Sequence, residues 1–163
     1  MNPFSLFCFA VSLTVLIQGV YVFRLAPKKP LNRVFLALAI SSFIWNFGYT
    51  FLLTAETEES AWLWYKIALL GWPYGPGLLL LFTLYLTASL RKPISWGVIT
   101  ATVLPGAVIS ILGQFTEVFA SGFIVGGAFG TIEIQNTTNP FYILVNIYLL
   151  TAVTLTVFIL RFS

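Results

Sequence analysis

Side chains able to do chemistry are scarce in this chain of 163 residues, and that scarcity is informative. No histidine and no aspartate occur. This excludes a Ser-His-Asp triad, a histidine metal site and paired-aspartate chemistry. The single cysteine, Cys8, permits neither an internal disulfide nor a cysteine metal cage. It sits inside an apolar run, where a thiol behaves as a small hydrophobe. No glycine-rich loop leads into a lysine, as a phosphate cradle requires. The five acids, Glu56, Glu58, Glu59, Glu117 and Glu133, all fall between apolar segments. These absences argue against an enzyme and give no reason to expect a metal or cofactor.

What remains are polar and aromatic residues set into apolar surroundings. Lys66 follows Trp62, Trp64 and Tyr65, a grouping that suits a membrane interface. Its ammonium can snorkel to headgroups, or turn inward toward an acid or an anionic ligand. Asn46 and Asn146 sit within apolar runs, as does Gln18. In lipid such amides most often tie helices together by hydrogen bonds. The sharper reading gathers Trp45, Asn46, Tyr49, Lys66, Trp72 and Asn146 around one ligand cavity. The run Leu70-Gly-Trp-Pro-Tyr-Gly-Pro-Gly77 carries a different signal. Pro73 and Pro76 remove backbone donors and clash with the preceding turn, so a kink or unwound turn is expected there, with freed carbonyls near Leu69 and Trp72. Gly71, Gly75 and Gly77 would let other backbones approach. Such breaks either pack tightly or line a cavity.

The elements that must position these residues follow from composition. Hydrophobic residues make up 59%, charged residues 8% and aromatics 17% of the chain, and its mean hydropathy is +0.96. Eight basic and five acidic residues cannot cover a soluble surface of this size. The net charge of +3 comes from short basic clusters between apolar segments, which is not a nucleic-acid footprint. Five apolar segments, at about residues 3–23, 34–54, 62–87, 94–112 and 141–160, are each near the roughly 20 residues that span a bilayer. They lack the alternation of barrel strands. The expectation is an all-α membrane protein, a bundle of about five transmembrane helices forming one domain over residues 1–163, in a prokaryotic plasma membrane.

Charge orients the bundle. Seven of the eight basic residues lie in one set of loops: Arg24, Lys28, Lys29, Arg33, Arg91, Lys92 and Arg161. All five acids lie in loops of the opposite parity. Basic loops face the cytoplasm, which puts the N-terminus outside. No basic residue precedes the first segment, so it is not a cleaved signal. Residues 54–61 and 113–140 then lie outside. In the longer loop, β-branched and aromatic runs flank Gly126-Gly127, which predicts a small extracytoplasmic β-hairpin or lid; a mobile glycine-rich loop is the alternative. The loop also contains Asn136-Thr-Thr138, a short sequon match without meaning in a bacterium.

Asn32-Arg-Val-Phe35, Trp45, Gly48-Tyr49, Trp64-Tyr-Lys66, Leu70-Gly71 with Pro73 and Pro76, then Phe82 and Leu84-Tyr85 form a pattern along the second and third segments. This pattern resembles the N-terminal seven-transmembrane region of prokaryotic sensor histidine kinases. Asn139-Pro-Phe-Tyr142 with Tyr148 matches more loosely. It implies a sensory input domain that receives a small-molecule or membrane-derived signal. Its partners would be the lipid bilayer and a cytoplasmic signalling module or a second copy. The chain departs from the pattern in having five helices and no output module, which suggests truncation. The alternatives are a small transporter or channel subunit, or a structural membrane protein. The orientation has a direct check: a reporter fused after Lys29 is expected in the cytoplasm, and a periplasmic reporter there overturns it.

Overall fold

The computed structural model describes residues 3–88, 94–127 and 130–161. Arg91 and Lys92, expected in a cytoplasmic loop, lie outside the described residues. The elements are α1 (Pro3–Leu25), α2 (Pro30–Leu52), α3 (Glu58–Leu69), a 3₁₀ turn (Trp72–Tyr74), α4 (Gly75–Ala88), α5 (Trp96–Phe115), β1 (Ala120–Gly127), β2 (Gly130–Gln135) and α6 (Pro140–Arg161). Five stretches are long and apolar enough to cross a membrane, with Glu58–Thr87 counted as one broken span. The chain is a membrane protein built as a helical bundle with a small two-stranded sheet.

Local chemistry sets most boundaries. Pro30 starts α2 in the first helical turn, where its missing N–H costs nothing. The basic turn before it is tight. Asn32 Nδ2 donates to the Val22 carbonyl at 2.8 Å and Arg33 Nε to the Pro27 carbonyl at 2.9 Å. These bonds join the basic ends of α1 and α2. At the other end of α2, Thr57 caps α3. Its hydroxyl accepts from the Ser60 N–H at 3.2 Å, and the Ser60 hydroxyl accepts from the Thr57 N–H at 3.3 Å. Glu58 and Glu59 in the first turn of α3 complement the positive end of the helix dipole.

The expected kink is a full break. Helix α3 stops at Leu69, the chain makes one 3₁₀ turn, and α4 begins at Gly75. The Gly71 carbonyl, freed by the break, accepts from Ser41 Oγ on α2 at 2.8 Å and from the Tyr74 N–H at 3.2 Å. The Trp72 carbonyl, expected to be free, is taken by the Gly75 N–H. Two glycines admit neighbouring backbones. A Cβ on Gly71 would stand 2.6 Å from the Trp45 amide nitrogen, and one on Gly77 would strike the Thr102 carbonyl of α5. Gly75 does not do this, because nothing lies within 4 Å of a Cβ there. The broken span is the centre of the bundle. In its most apolar stretch 44% of residues are buried, against 11% in α1 and 17% in α6. The outer helices instead present large apolar side chains such as Phe7, Ile17, Leu150 and Val157 outward, as lipid-facing surfaces do.

The 113–140 loop contains the expected hairpin. Strands β1 and β2 pair antiparallel, with Phe123 opposite Glu133 and Ile124 opposite Ile132. The turn is not centred on Gly126-Gly127, because Gly127 still pairs with Gly130. Glu56 lies between α2 and α3, Glu58 and Glu59 in the first turn of α3, and Glu117 and Glu133 between α5 and α6, on the side opposite the α1–α2 turn, and this side is called the acidic end below. The aromatic belt expected at Trp62, Trp64 and Tyr65 is largely packing. Trp64 stacks on Phe51 at 4.4 Å, and Trp62 meets Phe123 edge-on at 5.0 Å.

The glycine contacts predict opposite outcomes for two neighbours. Gly77→Val should cost about 1–3 kcal/mol through overpacking against α5 and lower the melting temperature in detergent. Gly75→Ala should be neutral or raise it, since the first turn of α4 has room for a methyl group.

Candidate functional site

The hairpin brings a carboxylate onto the bundle. Thr131 at the start of β2 anchors the strand to the end of α2. Its N–H donates to the Leu53 carbonyl at 3.3 Å, and its hydroxyl to the Ala55 carbonyl at 2.8 Å. Two residues along a strand share a face, so Glu133 points the same way as Thr131. A register shift between Ala120 and Gly122 leaves Ser121 as an extra residue in β1. This bulge explains why Ala120 and Phe123, three residues apart, are both buried opposite Gln135 and Glu133. Phe123 then packs on Tyr65 with ring centres 5.5 Å apart, beside its cross-strand partner Glu133.

Glu133 is held by two tyrosines from two helices. Tyr49 of α2 donates its hydroxyl to Oε2 at 3.2 Å, and Tyr65 of α3 donates to Oε1 at 3.1 Å. Tyr65 is only 3% exposed. Hydrogen bonds to a charged acceptor are each worth about 1.5–3 kcal/mol, so this clasp ties hairpin to bundle. Burial pushes the Glu133 carboxyl above the ordinary carboxylate range, and the bonds from Tyr65 and Tyr49 pull it part of the way back.

A cavity of about 210 Å³ opens beside the clasp. Trp45 and Tyr49 of α2 and Tyr65 of α3 form one wall. Trp72 of the 3₁₀ turn and Phe119, which precedes β1, form its base, with ring centres 6.4 Å apart. Tyr142, Val145, Asn146 and Leu149 of α6 close the far side, and Glu133 and Gln135 of β2 cover it. Tyr142 donates its hydroxyl to Gln135 Oε1, which links α6 to the hairpin. Asn139 Oδ1 accepts from the Phe141 N–H at 2.9 Å, which fixes the start of α6.

Of the six residues proposed from sequence to share a cavity, four do: Trp45, Tyr49, Trp72 and Asn146. Asn46 does not line it. Its amide donates to the Ser42 carbonyl one turn back, at 2.8 Å. Lys66 is exposed and faces a separate groove with Trp62, Phe115, Thr116 and Glu117. The amides are also not the interhelical ties expected of them. Asn146 Nδ2, like that of Asn46, donates to its own helix, at the Tyr142 carbonyl. Gln18 is exposed on α1. Polar ties between helices come instead from Ser41, Asn32, Tyr148 and Gln114, the last donating to the Lys66 carbonyl at 2.7 Å. Pro73 and Pro76 do create the break that presents Trp72.

Sequence reasoning missed Glu133, Tyr65, Phe119 and Tyr142. A signal for Glu133 existed. It is the one acid inside an alternating strand, Thr131-Ile-Glu-Ile-Gln135, where period two sets it on the face opposite two isoleucines. Among the described residues no cluster of three metal-ligating side chains occurs.

A family model described as the N-terminal 7TM region of histidine kinase matches residues 6–163. Searches of curated proteins and of solved structures give no match.

The raised Glu133 carboxyl predicts a pH profile. Between the ordinary glutamate value of about 4.3 and the higher native value, the folded state binds the extra proton. Stability should therefore rise as pH falls through the native value toward the ordinary one. No histidine titrates in that window. Melting curves of Glu133→Gln should lose this rise, and an identical rise in the variant would refute the assignment to Glu133.

Proposed function

Because the chain belongs to the family of N-terminal seven-transmembrane regions of histidine kinases, we propose that it is the membrane-embedded input module of a signal-transduction protein. In this reading it performs no catalysis itself. It sits in a prokaryotic plasma membrane with the hairpin outside, and its basic end acts on a cytoplasmic signalling module or on a second copy. The observation that carries the reading is the shared ownership of the cavity: α2, α3, the 3₁₀ turn, β2 and α6 each contribute a wall. A signal molecule there touches parts of the bundle that can move relative to one another.

Trp72 is the most telling wall residue, since it belongs to the break itself. A ligand shifts an equilibrium only by the difference in its affinity for the two states. Moving a population from 1:99 to 99:1 takes about 5.5 kcal/mol of such difference. Contacts that change when the 3₁₀ turn repositions Trp72 against Phe119 would supply part of it. Helix α4 leaves the turn toward the basic end and packs there against α2 and α6. A shift at the break would therefore reach the side on which an output module would sit.

Spin labels can test this without knowing the signal. In a Cys8→Ser background, labels at Leu25 and Leu160 report spacing at the basic end of α1 and α6. Trp72→Ala and Asn146→Ala should shift that distance distribution in nanodiscs, while Ile111→Ala on the exposed face of α5 should not. Distributions unchanged in both wall variants would reject the input-module reading.

A further inference from the structure

The cavity has a definite polarity. Tyr49 and Tyr65 spend their O–H groups on Glu133, and Tyr142 spends its own on Gln135. One N–H of Asn146 goes to the Tyr142 carbonyl. The only charged group among the described lining residues is the Glu133 carboxylate, an acceptor, while the neutral donors left are the indole N–H groups of Trp45 and Trp72 and the amide N–H groups of Gln135 and Asn146. An ionised carboxylate offers about four lone-pair sites, of which the tyrosines use two, and the tyrosine oxygens and Asn146 Oδ1 add more. Among the described residues no lysine or arginine lines the cavity. Lys66 faces the neighbouring groove instead.

The rest of the lining is aromatic. Trp45, Tyr49, Tyr65, Trp72, Phe119 and Tyr142 surround a space of about 210 Å³. Drug-sized sites run from roughly 300 to 1,000 Å³, whereas a cavity of about 150 Å³ holds benzene. The guest is therefore small. Ring faces carry negative quadrupole charge and attract ammonium groups. A neutral apolar guest would supply the carboxylate with no counter-charge beyond its two tyrosine hydrogen bonds, and an anion would be repelled by it.

We infer that this cavity binds a small organic cation, a primary or quaternary amine, with its nitrogen at the Glu133 carboxylate and its carbons against Trp45 and Trp72. This names the signal's chemical class within the input-module reading and rests on that reading for its role. Binding itself can be measured apart from signalling. Charge complementarity also gives the site a direction of entry: Glu133 lies on the hairpin at the acidic end, so the cation arrives from the side that gathers the negative charges.

The test uses the purified full chain in nanodiscs of uncharged lipid, with tryptophan fluorescence titrated by four probes: benzylammonium, tetramethylammonium, benzyl alcohol and benzoate. Both cations should bind at least tenfold more tightly than benzyl alcohol, and benzoate should not bind. Glu133→Gln should weaken benzylammonium at least tenfold and change benzyl alcohol less than threefold. Trp45→Phe, which keeps a ring and the fold, should weaken both cations by a smaller factor. Equal affinity for benzylammonium and benzyl alcohol, preference for benzoate, no binding of any probe, or unchanged cation affinity in Glu133→Gln would each overturn the inference. The spin-label distances separate the two proposals. Cations that bind without moving the labels support the ligand class and count against the input role. Labels that respond to wall variants while no cation binds do the reverse.

Discussion

A break in a membrane helix is tolerable only if the backbone groups it frees find partners, because hydrocarbon offers none. The centre of this bundle is organised around that constraint. Pro73 and Pro76 make continuous helix impossible between Leu69 and Gly75. Ser41 on α2 then supplies the donor that the Gly71 carbonyl needs. For that bond to form, α2 must come within a hydrogen bond of the turn, and only glycine at 71 allows the approach to Trp45. On the other side, Gly106 of α5 fits against the Pro73 carbonyl, where a Cβ would stand at 2.7 Å. The two helices flanking the break are thus drawn to it by the same need, and the buried core of the bundle forms there.

The hairpin is attached by different physics. Its strands are short, and an isolated two-stranded ribbon has little stability of its own. Stability comes from what it is fastened to. Thr131 pins it to the end of α2, Asn136 closes its base on the Phe119 and Glu117 carbonyls, and Phe123 is inserted between Trp62 and Tyr65. Glu133 is the costly member of this set, being a carboxylate drawn out of water. Two tyrosine hydroxyls compensate part of that cost, and burial still raises its carboxyl. A polar group kept at such a cost beside a cavity is a common mark of a functional site, although ion-pair networks can produce the same perturbation.

Cavity and break meet at Trp72. The residue belongs to the shortest and least regular element, the single 3₁₀ turn between α3 and α4, and its ring lines the cavity.

Much of this was legible in the residues. Five apolar stretches, the sorting of basic and acidic loops, the disruption at Pro73 and Pro76 and a hairpin within residues 113–140 all follow from local composition, which lipid and backbone sterics read directly. Helix starts shifted by a few residues, as at Pro30 and Glu58, because caps and prolines extend helices into the loops. The cavity was half legible. Trp45, Tyr49, Trp72 and Asn146 stand out as polar or aromatic residues in apolar runs, but so do Asn46 and Lys66, which the fold turns elsewhere. Helical periodicity places a side chain on a face without saying what that face meets. The partnership of Glu133 with tyrosines 84 and 68 positions away depends on a bulge at Ser121 and on where Thr131 anchors. The sequence by itself determined that the chain lives in lipid, where its helices run and where one of them must break. Only the tertiary structure decided which carboxylate and which rings share a cavity, because that follows from long-range register and packing, which no local pattern encodes.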